Sequence, residues 1–406
     1  MCKYFNTLFP ATLRKELPLL RGLGRGFFLL FFSLILFSCS KKKTENPVPP
    51  QVIAPSPVAD TVKRSSITFV MGEDDERRQN PYYKLANFYY RLNLDDKTEI
   101  VIDTINSLLE VRDYLESHPP KNGHPWGLIN LVSHGNEFID LSAKVEPEGA
   151  RASAKSIQEA VDAGKIKPID TTLIDAKTTI YLHGCAVGNN TELLNALAVA
   201  FGGKQNPARV KASKLFEYYG YTSKNQNPQS VRRYFAKVWY AFSNPENTPD
   251  DKTLIKQLRQ RYPNESTAWQ EALDRPYQDN PSQLYHIAFG VPVTWDDLYD
   301  SKEKRPVLNT LKSRAEWLKR QTGFHQLMQQ TKVPAQYFSI TYYNVTLKNP
   351  QGELYYSVRA KARVHVTCII QPLLSPEEDA HNRYEPLLPA PTDTCFFGFS
   401  QARVNK

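Results

Sequence analysis

The sequence predicts an α/β fold, a mostly parallel sheet flanked by helices, followed by a helical extension and a C-terminal β element. Three observations predict it. Between residues 65 and 225, short apolar runs alternate with amphipathic stretches of helical period. Two of the runs end in reactive residues, Leu128 to Ser133-His134-Gly135 and Thr179 to His183-Gly184-Cys185, and strand ends are where open parallel sheets carry chemistry. Beyond Gly220 the pattern changes, and Asn349-Pro350-Gln351-Gly352 separates two alternating segments.

Taken in order, Ser66–Gly72 reads as a first strand closed by glycine and Glu99–Asp103 as a second. From Ser107 to His118, residues Leu108, Val111, Tyr114 and Leu115 recur at helical spacing before the Pro119-Pro120 stop. The strands ending at His134 and near Cys185 come next. Thr191–Phe201 is a helix with Leu193, Leu194, Leu197 and Phe201 on one face, ended by Gly202-Gly203, and Val210–Phe216 is a further strand. Strands and helices in alternation make residues 65–225 one parallel-sheet core. In residues 226–335, Ser230–Phe242, Thr253–Tyr262, Ser266–Leu273 and Ser313–Gln321 read as helices, with 285–293 returning one strand to the sheet. Residues 336–406 form a hairpin region, with alternating apolar residues from Tyr337 to Ile370.

The N-terminal residues are read as an export signal rather than as part of the fold. A basic region ending at Arg25 leads into Gly26–Phe37, an apolar stretch short for a membrane span, and then Ser38-Cys39. Leu36-Phe37-Ser38-Cys39 resembles a bacterial lipobox, which implies cleavage after residue 38, lipidation of Cys39 and anchoring in the cell envelope. An ordinary cleaved signal or an anchor helix is the alternative. Residues 39–64 carry Pro47, Pro49, Pro50, Pro55 and Pro57 and read as an extended tether. Residues 1–38 hold five basic residues against Glu16, so +4 of the formal +9 lies in the signal. The modest remainder forms no basic stripe interleaved with aromatics, which argues against a nucleic-acid partner.

Of five cysteines, Cys2 leaves with the signal and Cys39 takes the lipid. Cys368 and Cys395 lie close in sequence, and in an oxidising compartment they are expected to pair. Cys185 is then the lone free thiol. A thiol attacks carbonyls as thiolate and needs an imidazole beside it and backbone N–H groups aimed at the oxyanion. Gly135 and Gly184 permit close approach of a substrate backbone, Gly188 a tight turn, and the helix near Asn190 would favour the thiolate. The alternative is a buried cysteine and a turn-capping histidine. No metal site is expected, because His124, His286 and His325 have no partner at ligand spacing.

These two motifs resemble those of the caspase-like cysteine peptidases, the superfamily of caspases, gingipains, clostripain, legumain, separase and CHAT proteins. Ser133-His134-Gly135 is similar to the His-Gly motif, and Leu182-His183-Gly184-Cys185-Ala186-Val187-Gly188 to the Cys motif. The resemblance covers roughly residues 65–220. It implies that Cys185 is the nucleophile and His134 the base, that the N–H groups of Gly135 and Cys185 form the oxyanion hole, and that peptides are hydrolysed without a cofactor. His183 departs from the family pattern and is either an auxiliary group beside Gly184 or a packed neighbour. Glu73, Asp74 and Asp75 after the first strand could receive a basic side chain, or be a solvated loop whose Arg77 and Arg78 serve an acidic one. Two functions remain open: a lipid-anchored endopeptidase, or a silent scaffold that binds a partner.

Overall fold

The computed structural model describes residues 62–401 apart from 75–80, 96, 278–281, 323, 326–327, 329–332, 349–351 and 376–382. The export signal, Cys39, most of the tether and Asp75, Arg77 and Arg78 lie outside these residues. No helix among the described residues is long and apolar enough to cross a membrane.

The elements run β1 (Ser66–Val70), α1 (Tyr82–Leu92), β2 (Thr98–Ile102), α2 (Leu108–Ser117), β3 (Leu128–Val132), β4 (Gly135–Asn136), β5 (Asp140–Leu141), α3 (Ala154–Asp162), β6 (Thr179–His183), α4 (Thr191–Gly202) and β7 (Arg209–Ser213). Then come β8 (Phe216–Tyr221), β9 (Val231–Ser243), α5 (Asp251–Arg261), α6 (Trp269–Leu273), β10 (Tyr285–Tyr299), α7 (Leu311–Leu318), β11 (Ser339–Lys348), β12 (Leu354–Pro372) and β13 (Phe397–Phe399). The predicted elements before Val210 form where expected. Ser107 caps α2 through its hydroxyl, and Asn190 caps α4 through its amide oxygen.

The first sheet has the order β13-β7-β6-β3-β1-β2. Its four pairings from β2 to β7 are parallel, and β13 adds antiparallel at one edge. Alternation along these short strands divides the side chains between two covered faces. Ile67, Phe69, Ile129, Leu131, Ile180, Leu182 and Val210 pack on α2, α3 and α4. Val70 and Val132 look the other way, into a core shared with α1 and the second sheet.

That second sheet corrects the predicted helical extension. It has the order β10-β12-β9-β8, with β11 beside β12. Ser230–Phe242, expected as a helix, is the thirteen-residue strand β9. Its buried residues Val231, Tyr234, Phe235, Trp239 and Phe242 imitate a helical period, because Tyr240 and Phe242 face the core under α1 while Trp239 and Ala241 face α5 and α6. The strand at 285–293 also goes elsewhere than expected: β10 pairs with β12 over fifteen residues, from Tyr285↔Ile370 to Tyr299↔Tyr356, instead of joining the first sheet. The expected hairpin forms, with Lys348 opposite Leu354.

The chain returns to the first sheet at its β7 edge. Lys214 N–H donates to the Phe396 carbonyl at 2.7 Å, and Phe397 then pairs with Ser213. The second sheet is therefore an insertion between the last parallel strand and the antiparallel edge strand of the first.

Candidate active site

Parallel pairing aligns the two motifs. Val132 of β3 and His183 of β6 are register partners, and Ser133 N–H donates to the His183 carbonyl at 3.1 Å. Two residues beyond these partners stand His134 and Cys185, so both leave neighbouring strands at the same level of the carboxyl edge.

His134 is held between two α1 tyrosines. Its ring stacks on Tyr82 at 4.4 Å between centroids and meets Tyr83 edge-on at 4.7 Å. Its N–H donates to the Tyr83 hydroxyl at 2.8 Å, and its carbonyl accepts from Ser142 at 2.6 Å. Tyr82 also reaches β6, donating its hydroxyl to the His183 carbonyl at 3.3 Å. Asp74 sets the start of this helix: its carboxylate accepts from the N–H groups of Tyr83 and Lys84, each at 2.8 Å. Of the expected specificity loop, Asp74 is thus engaged as a helix cap and Glu73 is exposed.

Cys185 is half-buried. Its thiol donates to the Glu217 carbonyl at 3.4 Å, and burial pushes the thiol up to about 12, so it is protonated at neutral pH. At the α4 N-terminus, expected to favour the thiolate, the Leu193 N–H donates to the Asn190 side-chain oxygen at 3.0 Å. Of the two N–H groups expected to form the oxyanion hole, that of Cys185 donates instead to the Gly135 carbonyl at 3.0 Å. Ala186 follows in the left-handed region at φ 59°, and its N–H donates to the Leu215 carbonyl at 2.9 Å.

The glycines serve chain packing here. A Cβ on Gly135 would meet the Asp140 carbonyl at 2.5 Å, and one on Gly188 would strike the backbone of Ala212 and Ser213. Gly184 is less tight, with the Ser133 carbonyl at 3.1 Å from such a Cβ.

His183 belongs to a buried network that sequence reasoning missed. The strand places its side chain on the face turned to the second sheet, in line with Asn130 and Thr68. Its Nδ1–H donates to the Glu217 carboxylate, a contact with both side chains fully buried. The Tyr90 hydroxyl and the Asn130 amide each lie 2.9 Å from Nε2, and Asn130 donates onward to Thr68 at 3.1 Å. Tyr181 donates to the other Glu217 oxygen at 3.1 Å, and Arg233 stands 3.8 Å from the carboxylate. Burial alone would raise the Glu217 carboxyl, but His183, with its charge and hydrogen bond, and Arg233 outweigh it and hold the group below its ordinary value. Burial pushes the His183 imidazole down against the pull of Glu217, and pushes Lys211, packed over Phe397, down to about 8. Glu217 lies in Phe216–Tyr221, every residue of which is buried. A carboxylate in such a run was the signal that could have revealed the network.

The expected Cys368–Cys395 bridge is not formed. Cys368 is a free, buried thiol on β12, so Cys185 is not the lone free cysteine. The two expected partners belong to different cores: Cys368 sits under α1 with Tyr240 and Ile370, and Cys395 packs near Phe396 and Leu373. Among the described residues, no group of three or more His, Cys, Asp or Glu side chains could hold a metal ion. Comparison of the chain with protein-family models, curated proteins and solved structures finds no match.

Proposed function

We propose that this chain is a cysteine endopeptidase of caspase-like kind in a closed resting form, exported and tethered to the cell envelope through a lipidated Cys39. The observation that supports it most is the register: the His-Gly and Cys motifs leave adjacent parallel strands at one level, as a Cys–His pair requires. Cys185 is the nucleophile and His134 the base. The imidazole takes the thiol proton as sulfur attacks the peptide carbonyl, then returns it to the departing amine. Water hydrolyses the thioester and frees both the peptide acid and the thiol. Before this can occur, the thiol must leave the Glu217 carbonyl, and the Cys185 N–H must leave Gly135 to face an oxyanion.

A second reading is favoured by that closure itself. A protonated thiol engaged with a backbone carbonyl is also the arrangement of a silent scaffold, which binds a partner instead of cutting it. One experiment separates the two. The full chain is exposed to a peptidyl acyloxymethyl ketone and to a mixed peptide library, beside Cys185→Ala. The peptidase reading expects labelling of Cys185 and cleavage products that the variant abolishes. Absence of labelling together with identical products from both proteins overturns it.

A further inference from the structure

The inserted sheet carries a groove that owes nothing to Cys185. A cavity of about 700 Å³ lies between β11 and the segment leading into α7. Five consecutive β11 residues, Ile340 to Asn344, line it. The lining takes in Val358 of β12, opposite Asn344, and β11 residues of both parities, so the cavity lies over one face of the sheet and reaches the outer edge of β11. That edge is open: among the described residues, β11 pairs only with β12. Unpaired N–H and C=O groups along such an edge accept an added strand.

The opposite wall is basic. Lys302, Arg305 and Arg314 line the cavity, and among the described residues no carboxylate does. The nearby acids are engaged or turned outward. Asp300 pairs with Lys304 at 2.7 Å, Asp297 accepts from Trp317 at 2.8 Å, Asp296 pairs with Arg359 at 2.8 Å, and Glu303 is exposed. The arginines are propped on aromatic rings. Arg314 sits 5.9 Å from the centroid of Tyr342, which stands edge-on to buried Trp317 at 5.2 Å. Arg305 sits 5.6 Å from that of Tyr356. Arg314 also donates through Nε to the Leu308 carbonyl at 2.7 Å, which leaves its terminal nitrogens for a ligand.

We propose that this groove binds an extended acidic peptide, which adds as a strand to the β11 edge and places its carboxylates against Lys302, Arg305 and Arg314. The test titrates the full chain against a fluorescein-labelled peptide alternating Glu and Thr, read by anisotropy. Saturable binding is expected, with none for the Lys/Thr counterpart. Changing Lys302→Glu and Arg305→Glu together should weaken binding about tenfold or more at low salt with melting unchanged. In an added strand the N–H groups of all Glu residues face one edge and those of all Thr residues the other. N-methylation of one set should therefore abolish binding while methylation of the other is tolerated. Absent binding, equal effects of the two methylations, or equal competition by a linear acidic polysaccharide overturns the proposal.

Discussion

The two faces of the first sheet are built from the same five-residue strands, yet they are held by different forces. On the face toward α2, α3 and α4, Ile67, Phe69, Leu131 and Leu182 make an apolar core that depends on shape and area. On the face toward the second sheet, Thr68, Asn130, Tyr181 and His183 meet Glu217 and Arg233 in one hydrogen-bonded network. The apolar face tolerates a change of shape at graded cost. The polar face is all-or-none, because removing one partner strands the others away from water. The motif strands are therefore held from the side of the insertion as well as from their apolar face.

Breaking the polar face should have the largest effect. Glu217→Leu leaves His183, Tyr181 and Arg233 facing a hydrocarbon, and removal of one member of a buried charge pair costs about 3–5 kcal/mol. Urea unfolding should show a loss in that range. A loss under about 1 kcal/mol would mean that the network is not energetically coupled. The apolar face should respond next. Leu182 is wholly buried, and truncation of Leu182 to alanine should cost about 3 kcal/mol by lost transfer and a residual cavity, with no change in how unfolding depends on pH.

How much of this could be read from the chain follows the same division. The strands β1, β3 and β6 were legible because both their faces are covered, so they read as near-continuous apolar runs between turn signals. Within them the alternation of Asn130 and His183 was visible, but their partner Glu217 was not, because it arrives from a strand of the insertion. β9 was misread for a related reason. A strand buried on both faces loses its period of two, and Val231, Tyr234, Phe235, Val238 and Trp239 fall at helical intervals by accident. Its aromatic and β-branched content was the better guide. The closure of Cys185 was also out of reach, since the groups that close it, Gly135 and Glu217, are set by tertiary contact.

The smallest expected effect, and the most specific to the polar face, is its response to acid. His183 lies below its ordinary value in the folded chain, so on acidification the unfolded chain takes up that proton first, from about pH 6.5 downward. Glu217 is also depressed, so the stability it contributes is present above the ordinary carboxylate range and is lost as pH falls through its folded value. Both signs agree: stability falls on the acid side, beginning in the histidine range and continuing into the carboxylate range. A single proton taken up only by the unfolded chain tilts stability by at most about 1.4 kcal/mol per pH unit. Stability measured between pH 7 and 5 should slope accordingly in the native chain. In His183→Gln, which keeps an amide beside Glu217 but cannot titrate, the slope in that window should flatten even though overall stability is lower. Leu182→Ala should keep the native slope on a lowered baseline. If His183→Gln retained the full slope, the acid response would have to come from elsewhere in the molecule, and the contrast between the two faces would rest on hydrogen bonding alone.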